Sequence, residues 1–413
     1  MNLIKTSFYT SLSTSVTFVT GFVVTKVVAV RIGPQGMAYY GQYQNTIAIL
    51  TMLGTAAIST GIIKYLSEYK DDSIKMQKVI NTSVVLVISC SFIISLFTMI
   101  GSSYLSKAAF KTTDFWIVYF LFGLFTTTVS LNAIFLAMLN GLKLIKHLTF
   151  INICTSLTGI ILIVTLSYYF DLIGVLISSS ILSGIIFIVN VFLLKKTGIQ
   201  WWPNFKTWDK QILKLLMNFS AMAVVSGFLL PFAQILVRDK IIVALSVEQA
   251  GYWQAVMKIS DYYLAFVTTV LSVYYMPRLS ELKQNKAVRT EIFNGYKLIL
   301  PIVAVMSFLI WLSRDLIIHL IFTPSFLPMR QLFAFQLLGD FFKIGSWLLA
   351  YLMMAKALTK TFIVTETIFA SCYVLLAYFF INHFGLIGAT YAFAVNYALY
   401  WVLIFVVTRK YFS

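Results

Sequence analysis

Two runs of this sequence place ionisable and amide side chains at helical spacing inside stretches that are otherwise apolar. Between Glu248 and Lys283, the residues Gln254, Lys258, Asp261, Thr268 and Ser272 recur at steps of four and three, with small Ala265 between them. That spacing puts them on one face of a helix. Between positions 330 and 355, Gln336, Asp340 and Lys343 repeat the spacing with the order of charges reversed. Each run is long enough to cross a bilayer, and Lys258 and Asp261 would lie roughly 13 to 20 Å in at about 1.5 Å per residue. Charges at such depth are costly and point to function. The chemistry open to them is electrostatic: ammonium groups for an anion, carboxylates for a coupling proton or cation. Two readings follow. In one, each Lys and Asp three residues apart form a local structural pair. In the other, partners exchange between states, and protonation of Asp261 or Asp340 biases the exchange.

Other polar residues in apolar runs are candidates of the same kind. Lys26 has no acidic neighbour within helical reach, but it lies only about 6 Å from the outer end of its predicted helix, within snorkelling distance of the interface. Gln42 and Asn45 share a face flanked by Tyr39, Tyr40 and Tyr43, a set able to hydrogen-bond and stack on sugar rings or simply to pack helices. Glu366 sits about 8 Å into its run, where it is either linked to Lys356 or Lys360 or coupled to a proton. Arg31, Arg238, Asp239, Lys240, Arg314 and Asp315 fall at predicted outer helix ends and read as interfacial anchors. No phosphate-binding loop, Ser and His pairing or set of paired carboxylates on a long outer loop occurs, so no catalytic residue is assigned. Cys90, Cys154 and Cys372 lie in apolar runs, and His147, His319 and His383 have no ligand spacing. Neither a metal site nor a cofactor is expected.

The elements that must position these residues follow from composition. A chain of 413 residues that is 60% hydrophobic, 16% aromatic and 11% charged cannot hide its apolar surface in a soluble core, and reads as a polytopic all-α membrane protein. The first apolar run, from Phe8 to Val30, follows a single Lys5 and has no small-residue cleavage pattern, so it reads as a retained span. Twelve spans are predicted, near 8–30, 38–63, 80–103, 115–139, 148–169, 172–194, 215–237, 249–276, 297–318, 330–355, 361–381 and 385–408. The net charge of +17 makes no continuous basic face, which argues against nucleic acid. Instead, 21 of the 31 Lys and Arg residues, among them Lys206 and Lys283, fall in loops on one side, which predicts both termini in the cytoplasm. The connection at 195–214, with its W-W-P-N-F-K-T-W run, divides a first six-helix lobe at 1–194 from a second at 215–413. A shift of 213 residues lays Leu66-Ser67-Glu68-Tyr69-Lys70 on Leu279-Ser280-Glu281-Leu282-Lys283, and Tyr39, Thr55 and Ser59 on Tyr252, Thr268 and Ser272. With six spans each, two such copies would be related by a pseudo-twofold along the membrane normal.

Several patterns resemble a known family: A-V-R-I-G-P-Q-G at 29–36, G-Y-W-Q-A-V-M-K-I-S-D at 251–261, S-V-Y-Y-M-P-R-L-S at 272–280, L-L-G-D-F-F-K-I-G at 337–345 and A-K-A at 355–357. Over essentially its full length the chain resembles the Wzx-type flippases for lipid-linked O-antigen or related oligosaccharide units, in the multidrug/oligosaccharidyl-lipid/polysaccharide exporter superfamily. The resemblance implies a multi-pass protein of a bacterial inner membrane that moves an undecaprenyl-diphosphate-linked glycan from the cytoplasmic to the periplasmic leaflet. It also implies a MATE-like pair of lobes, alternating access coupled to H+ or Na+, and polysaccharide assembly proteins as partners besides membrane lipids. Carried onto this sequence, Lys26, Lys258 and Lys343 would meet the diphosphate, and Tyr39, Gln42, Asn45, Trp253 and Gln254 the glycan. Asp261, Asp340 and Glu366 would couple the ion. A drug antiporter of the same superfamily, which would want an unpaired acidic cavity, is one alternative. A membrane-embedded polymerase or glycosyltransferase, which would want a sizeable outer loop, is another.

Overall fold

The computed structural model describes residues 3–205, 208–282, 284–356 and 358–411. Lys206, Lys283 and Ala357 lie outside the described residues, as do the side chains of Lys5 and Ser272. In chain order the helices are α1 (Leu3–Gly54), α2 (Ser59–Glu68), α3 (Ser73–Ile100), α4 (Ser102–Phe110), α5 (Trp116–Gly141), α6 (Ile145–Thr197), α7 (Lys210–Ala244), α8 (Val247–Val270), α9 (Met276–Glu281), α10 (Asn285–Leu312), α11 (Arg314–Ile321), α12 (Phe333–Ala355), α13 (Thr359–Phe384) and α14 (Ile387–Thr408). No strand occurs among the described residues.

Nine helical segments among the described residues are long and apolar enough to cross a membrane. Two of them hold a pair of spans each, because non-helical residues break α1 at Gly33 (φ 68, ψ −167) and α6 at Asp171 (φ 46, ψ −127). The remaining span is α8, whose Glu248, Lys258 and Asp261 set it apart from the apolar set. Twelve spans result, as the apolar runs predicted. The helices present hydrocarbon outward as well as inward: α3 buries Val79, Ile80, Val84 and Val87 while exposing Phe92, Ile93, Phe97 and Ile100. Only a lipid solvent tolerates that surface.

The chain forms two compact units, one of residues 1–31 and 42–231, the other of residues 32–41 and 232–413. The connection at 195–214, expected to divide the lobes, is packed on the first unit. Gln77 Nε2 donates to the Gln200 carbonyl (2.7 Å), and Asn81 exchanges two hydrogen bonds with the Asn204 backbone (3.0 and 2.8 Å). Lys78 Nζ meets Asp209 Oδ2 at 3.0 Å, and the Trp201 ring lies 5.1 Å from Phe135. Its lysine partner and the N–H groups of Gln211 and Ile212 hold the Asp209 carboxyl below the usual carboxylate range. The other aromatic residues of the run, Trp202, Phe205 and Trp208, are exposed, as suits an interfacial belt.

Within the second unit, the segment after Gly33 packs closely on α8. A Cβ at Gly251 would fall 1.8 Å from the Pro34 carbonyl oxygen, and one at Gly41 would fall 2.4 Å from Gln254 Cδ. In the same unit, α12 meets α14 through Gly339, where a Cβ would lie 2.3 Å from the Phe393 ring. Small residues at such crossings let helix backbones approach in lipid.

The duplicated frame is visible in backbone angles. Leu144 (φ −82, ψ 56) precedes α6 as Leu358 (φ −78, ψ 57) precedes α13. Asp171 (φ 46, ψ −127) ends the first part of α6 as Gly385 (φ 63, ψ −144) ends α13. Both pairs are 214 residues apart. The second span of each copy is also interrupted, at points a few residues apart in the repeat register. In the first, α1 stops at Gly54 and the chain turns through Ala56 and Ala57 at positive φ. In the second, α8 passes into a π-helical turn at Leu271–Tyr275, just before Pro277, which has no N–H to continue the ladder.

Candidate functional site

The polar residues of the second unit gather where α8, α10, α12, α13 and α14 supply neighbouring side chains. Asp340 is fully buried, and neutral donors hold it. Ser260 Oγ donates to Oδ2 at 2.6 Å, Tyr263 OH to the same oxygen at 2.9 Å, and Gln336 Nε2 to Oδ1 at 3.4 Å. Tyr263 is in turn 3.2 Å from Ser307 Oγ. A carboxylate receiving several hydrogen bonds can stay buried at this depth.

Lys343, one turn on and 8% exposed, is not the partner of Asp340. Its ammonium faces the rings of Trp347, Tyr397 and Phe393, at 5.0, 5.9 and 6.0 Å from their centroids. Ring quadrupoles provide a desolvated cation with attraction that asks for no countercharge. Nor does Lys258 pair with Asp261; among the described residues no ion pair joins either Lys to either Asp. The expected local pairs are thus absent: hydroxyl donors on α8 and the Gln336 amide one turn back on α12 reach Asp340, and an aromatic box reaches Lys343. Along the face of α8, burial falls from Gln254 (6% exposed) through half-buried Lys258 to exposed Asp261.

Tyr397 carries the network onward. Phe369 packs, tilted, against both Tyr397 (4.8 Å) and Tyr400 (4.5 Å), and the Tyr400 hydroxyl donates to Glu366 Oε1. Glu366 is therefore linked to a phenol rather than to Lys356 or Lys360; Lys356 Nζ donates to the Leu282 carbonyl instead. Arg238 also departs from expectation. It is 1% exposed, donates from Nη2 to Gln254 Oε1 at 2.5 Å and lies 5.3 Å over the Trp253 ring. It stands about one and a half turns before the end of α7 and is a core residue, not an interfacial anchor. Trp253 and Gln254 are consequently buried beneath it.

The first unit holds the other candidates. Lys26 is exposed on a cavity of about 520 Å³ that Arg31, Tyr168 and Tyr169 also line. Arg31 is occupied there by the Ser167 and Tyr168 carbonyls (3.3 and 3.4 Å) and by Asp171 (3.8 Å). No carboxylate among the described residues pairs with Lys26. Gln42 is buried, and Tyr43 packs edge-on to Tyr119 at 5.7 Å with its hydroxyl 3.4 Å from Ser180 Oγ. Asn45 is half-buried, and its Nδ2 has no hydrogen-bond acceptor. Tyr39 belongs to the segment that groups with the second unit and is half-buried. Sequence reasoning missed Ser260, Tyr263 and Ser307, which stand off the charged face by one or two residues or on another helix. Among the described residues no set of three His, Cys, Asp or Glu side chains is placed to hold a metal ion.

Comparison with known proteins agrees with this architecture. A family model described as polysaccharide biosynthesis protein matches residues 3–283. Lipid III flippases of Escherichia coli (strain K12) and Shigella flexneri are each 31% identical over 409 residues, covering 98% of this chain and 97% of theirs. Among solved structures, an inward-facing MATE family transporter of the MOP superfamily superposes with a TM-score of 0.76 at 13% identity, covering 97% of each chain. An outward-facing MATE transporter gives 0.68 at 12% identity, over 98% of this chain and 94% of that one. At such identities the structures speak for the fold. The near-full-length relatives carry the classification further: the chain belongs to the polysaccharide biosynthesis protein family, as a Wzx-type transporter and not an enzyme.

Proposed function

We propose that the protein flips an undecaprenyl-diphosphate-linked oligosaccharide, an O-antigen repeat unit or a related glycan, from the cytoplasmic to the periplasmic leaflet. Both termini lie in the cytoplasm, the two six-helix halves alternate access, and H+ or Na+ drives the cycle. Near-full-length similarity to proteins named lipid III flippases carries this reading. The physics of the cargo supports it, since a diphosphate crosses hydrocarbon only if cations offset its desolvation. Lys26, exposed and without a carboxylate partner among the described residues, is the favoured phosphate ligand, with half-buried Lys258 as its counterpart in the second unit. Tyr39 suits the glycan, and Asn45, whose amide nitrogen is buried without an acceptor, would reach it only after rearrangement. Gln42, Trp253, Gln254 and Lys343 are buried in this conformation and would meet cargo only after rearrangement. Asp340, Asp261 and Glu366 are the coupling carboxylates.

Deleting the gene and examining the lipid-linked sugars tests the reading. Complete units confined to the cytoplasmic leaflet are expected. Single units that reach the outer leaflet but fail to polymerise would indicate a polymerase, and unchanged glycan export with drug sensitivity would indicate an antiporter. In the complemented strain, Lys26→Ala should lower export roughly 10- to 100-fold, the value of one charge-assisted hydrogen bond.

A further inference from the structure

On the second unit, α10, α12 and α14 enclose an apolar groove of about 480 Å³. Leu349 of α12 is fully buried at its floor, and Phe293, Val402 and Phe405 stand exposed at its rim. The polar atoms of its wall are already engaged: Tyr296 OH donates to the Gly345 carbonyl (3.0 Å) and accepts from Trp401 Nε1 (2.9 Å). Among the described residues no Asn, Gln, Asp or Glu lines it. Such a surface offers nothing to a sugar and fits a hydrocarbon chain.

One end of the groove is strongly basic. Asn285 Nδ2 donates to the Lys410 carbonyl (3.4 Å), which brings the start of α10 level with the end of α14. Lys286, Arg289, Arg409 and Lys410 are exposed at those two ends. Arg289 lies 5.8 Å over the ring of Phe293, directly at the groove's rim. The nearest acid on α10, Glu291, is taken by Arg278 (3.8 Å), and no carboxylate among the described residues pairs with the four cations. Cations at a membrane boundary draw anionic headgroups, and a groove continuing from them into the apolar span receives the attached chain.

We propose that this groove is a binding site for an anionic glycerophospholipid, with the headgroup phosphate held by Arg289, Arg409 and Lys410 and one acyl chain lying along Phe293, Tyr296, Val402 and Phe405. The site is independent of the transport reading, since neither Lys26 nor the Asp340 network takes part. To test it, the full-length protein is placed in phosphatidylcholine vesicles with a minority of phosphatidylglycerol bearing a photoreactive acyl chain, and the labelled peptides are mapped. Label on the α10 and α14 wall is expected, displaced by unlabelled phosphatidylglycerol and not by phosphatidylcholine. Arg289→Gln with Lys410→Gln should reduce labelling roughly tenfold, and Val402→Trp, which fills the groove from its exposed rim, should abolish it. Circular dichroism and gel filtration report whether each variant is folded. Labelling spread evenly over exposed helix faces, or unchanged in the charge variant, would overturn the site. Stronger displacement by undecaprenyl diphosphate than by phosphatidylglycerol would reassign it to the carrier lipid, and label lost on forming a dimer would reassign it to a contact between copies.

Discussion

Asp340 and Lys343 are three residues apart on one helix, and their surroundings differ completely. Three neutral donors hold the carboxylate, and three aromatic rings face the ammonium. Removing the acid strands the Ser260 hydroxyl and leaves Tyr263 only Ser307, so Asp340→Ala should cost about 1 to 3 kcal/mol, read as a lowered unfolding temperature in detergent. Lys343→Met replaces a cation among rings by a thioether that packs there and should cost under about 1 kcal/mol. No ion pair within 4 Å links the two, but opposite charges three residues apart in a buried site still attract, so the double variant should cost less than the sum of the singles by about 0.5 kcal/mol or more; strict additivity would show the two sites to be independent. Sequence spacing placed both residues on one helix, as α12 has them. Their partners were not legible, because spacing along one helix says nothing of which side chains on other helices face it. Arg238 illustrates the same limit: its position near a helix end suggested an anchor, and only the packing of α7 beside Trp253 and Gln254 reveals it as buried.

At the level of elements, the connection after α6 behaves as part of the first unit and not as a tether. Its Asp209 carboxyl lies below the usual carboxylate range because Lys78 and two backbone N–H groups favour the charged form. For a depressed carboxylate, the stabilisation is present above its unfolded pKa and disappears as pH falls through its folded value. The clasp should therefore hold at neutral pH and release only below about pH 4. Asp209→Asn should reproduce the acid state at neutral pH, with hydrogen exchange across residues 199–205 rising several-fold and the helical signal unchanged. Trp and Lys clusters make this stretch read in the sequence as an interfacial connection. Its docking depends on Gln77, Asn81 and Thr82 of α3, residues whose types carry no mark of a distant partner.

Across the whole chain, the twelve spans and the duplication were readable from hydropathy and from a 213-residue shift, because both are written in local pattern. The paired turns at Leu144 and Leu358, and at Asp171 and Gly385, carry the repeat into backbone geometry where side chains have diverged. What the pattern could not convey is that residues 32–41 group with the second unit. Their attachment rests on a glycine contact: with a Cβ placed 1.8 Å from the Pro34 carbonyl, Gly251→Ala should destabilise by about 2 kcal/mol or more, measured as loss of folded protein on gel filtration. Gly227→Ala, whose Cβ would meet only the flexible Met52 side chain at 3.0 Å, should cost less.

That contact also sets a schedule for biosynthesis. Gly41 leaves the ribosome some 210 residues before Gly251, an interval of roughly 10 to 40 s at ordinary elongation rates. Throughout it the segment after Gly33 is in the membrane without the helix it will pack against. Nascent chains halted ahead of α8 should expose this stretch to proteases and engage the insertion machinery. Chains extended past α8 should release both, so the protein's earliest helix is among the last to reach its final neighbours.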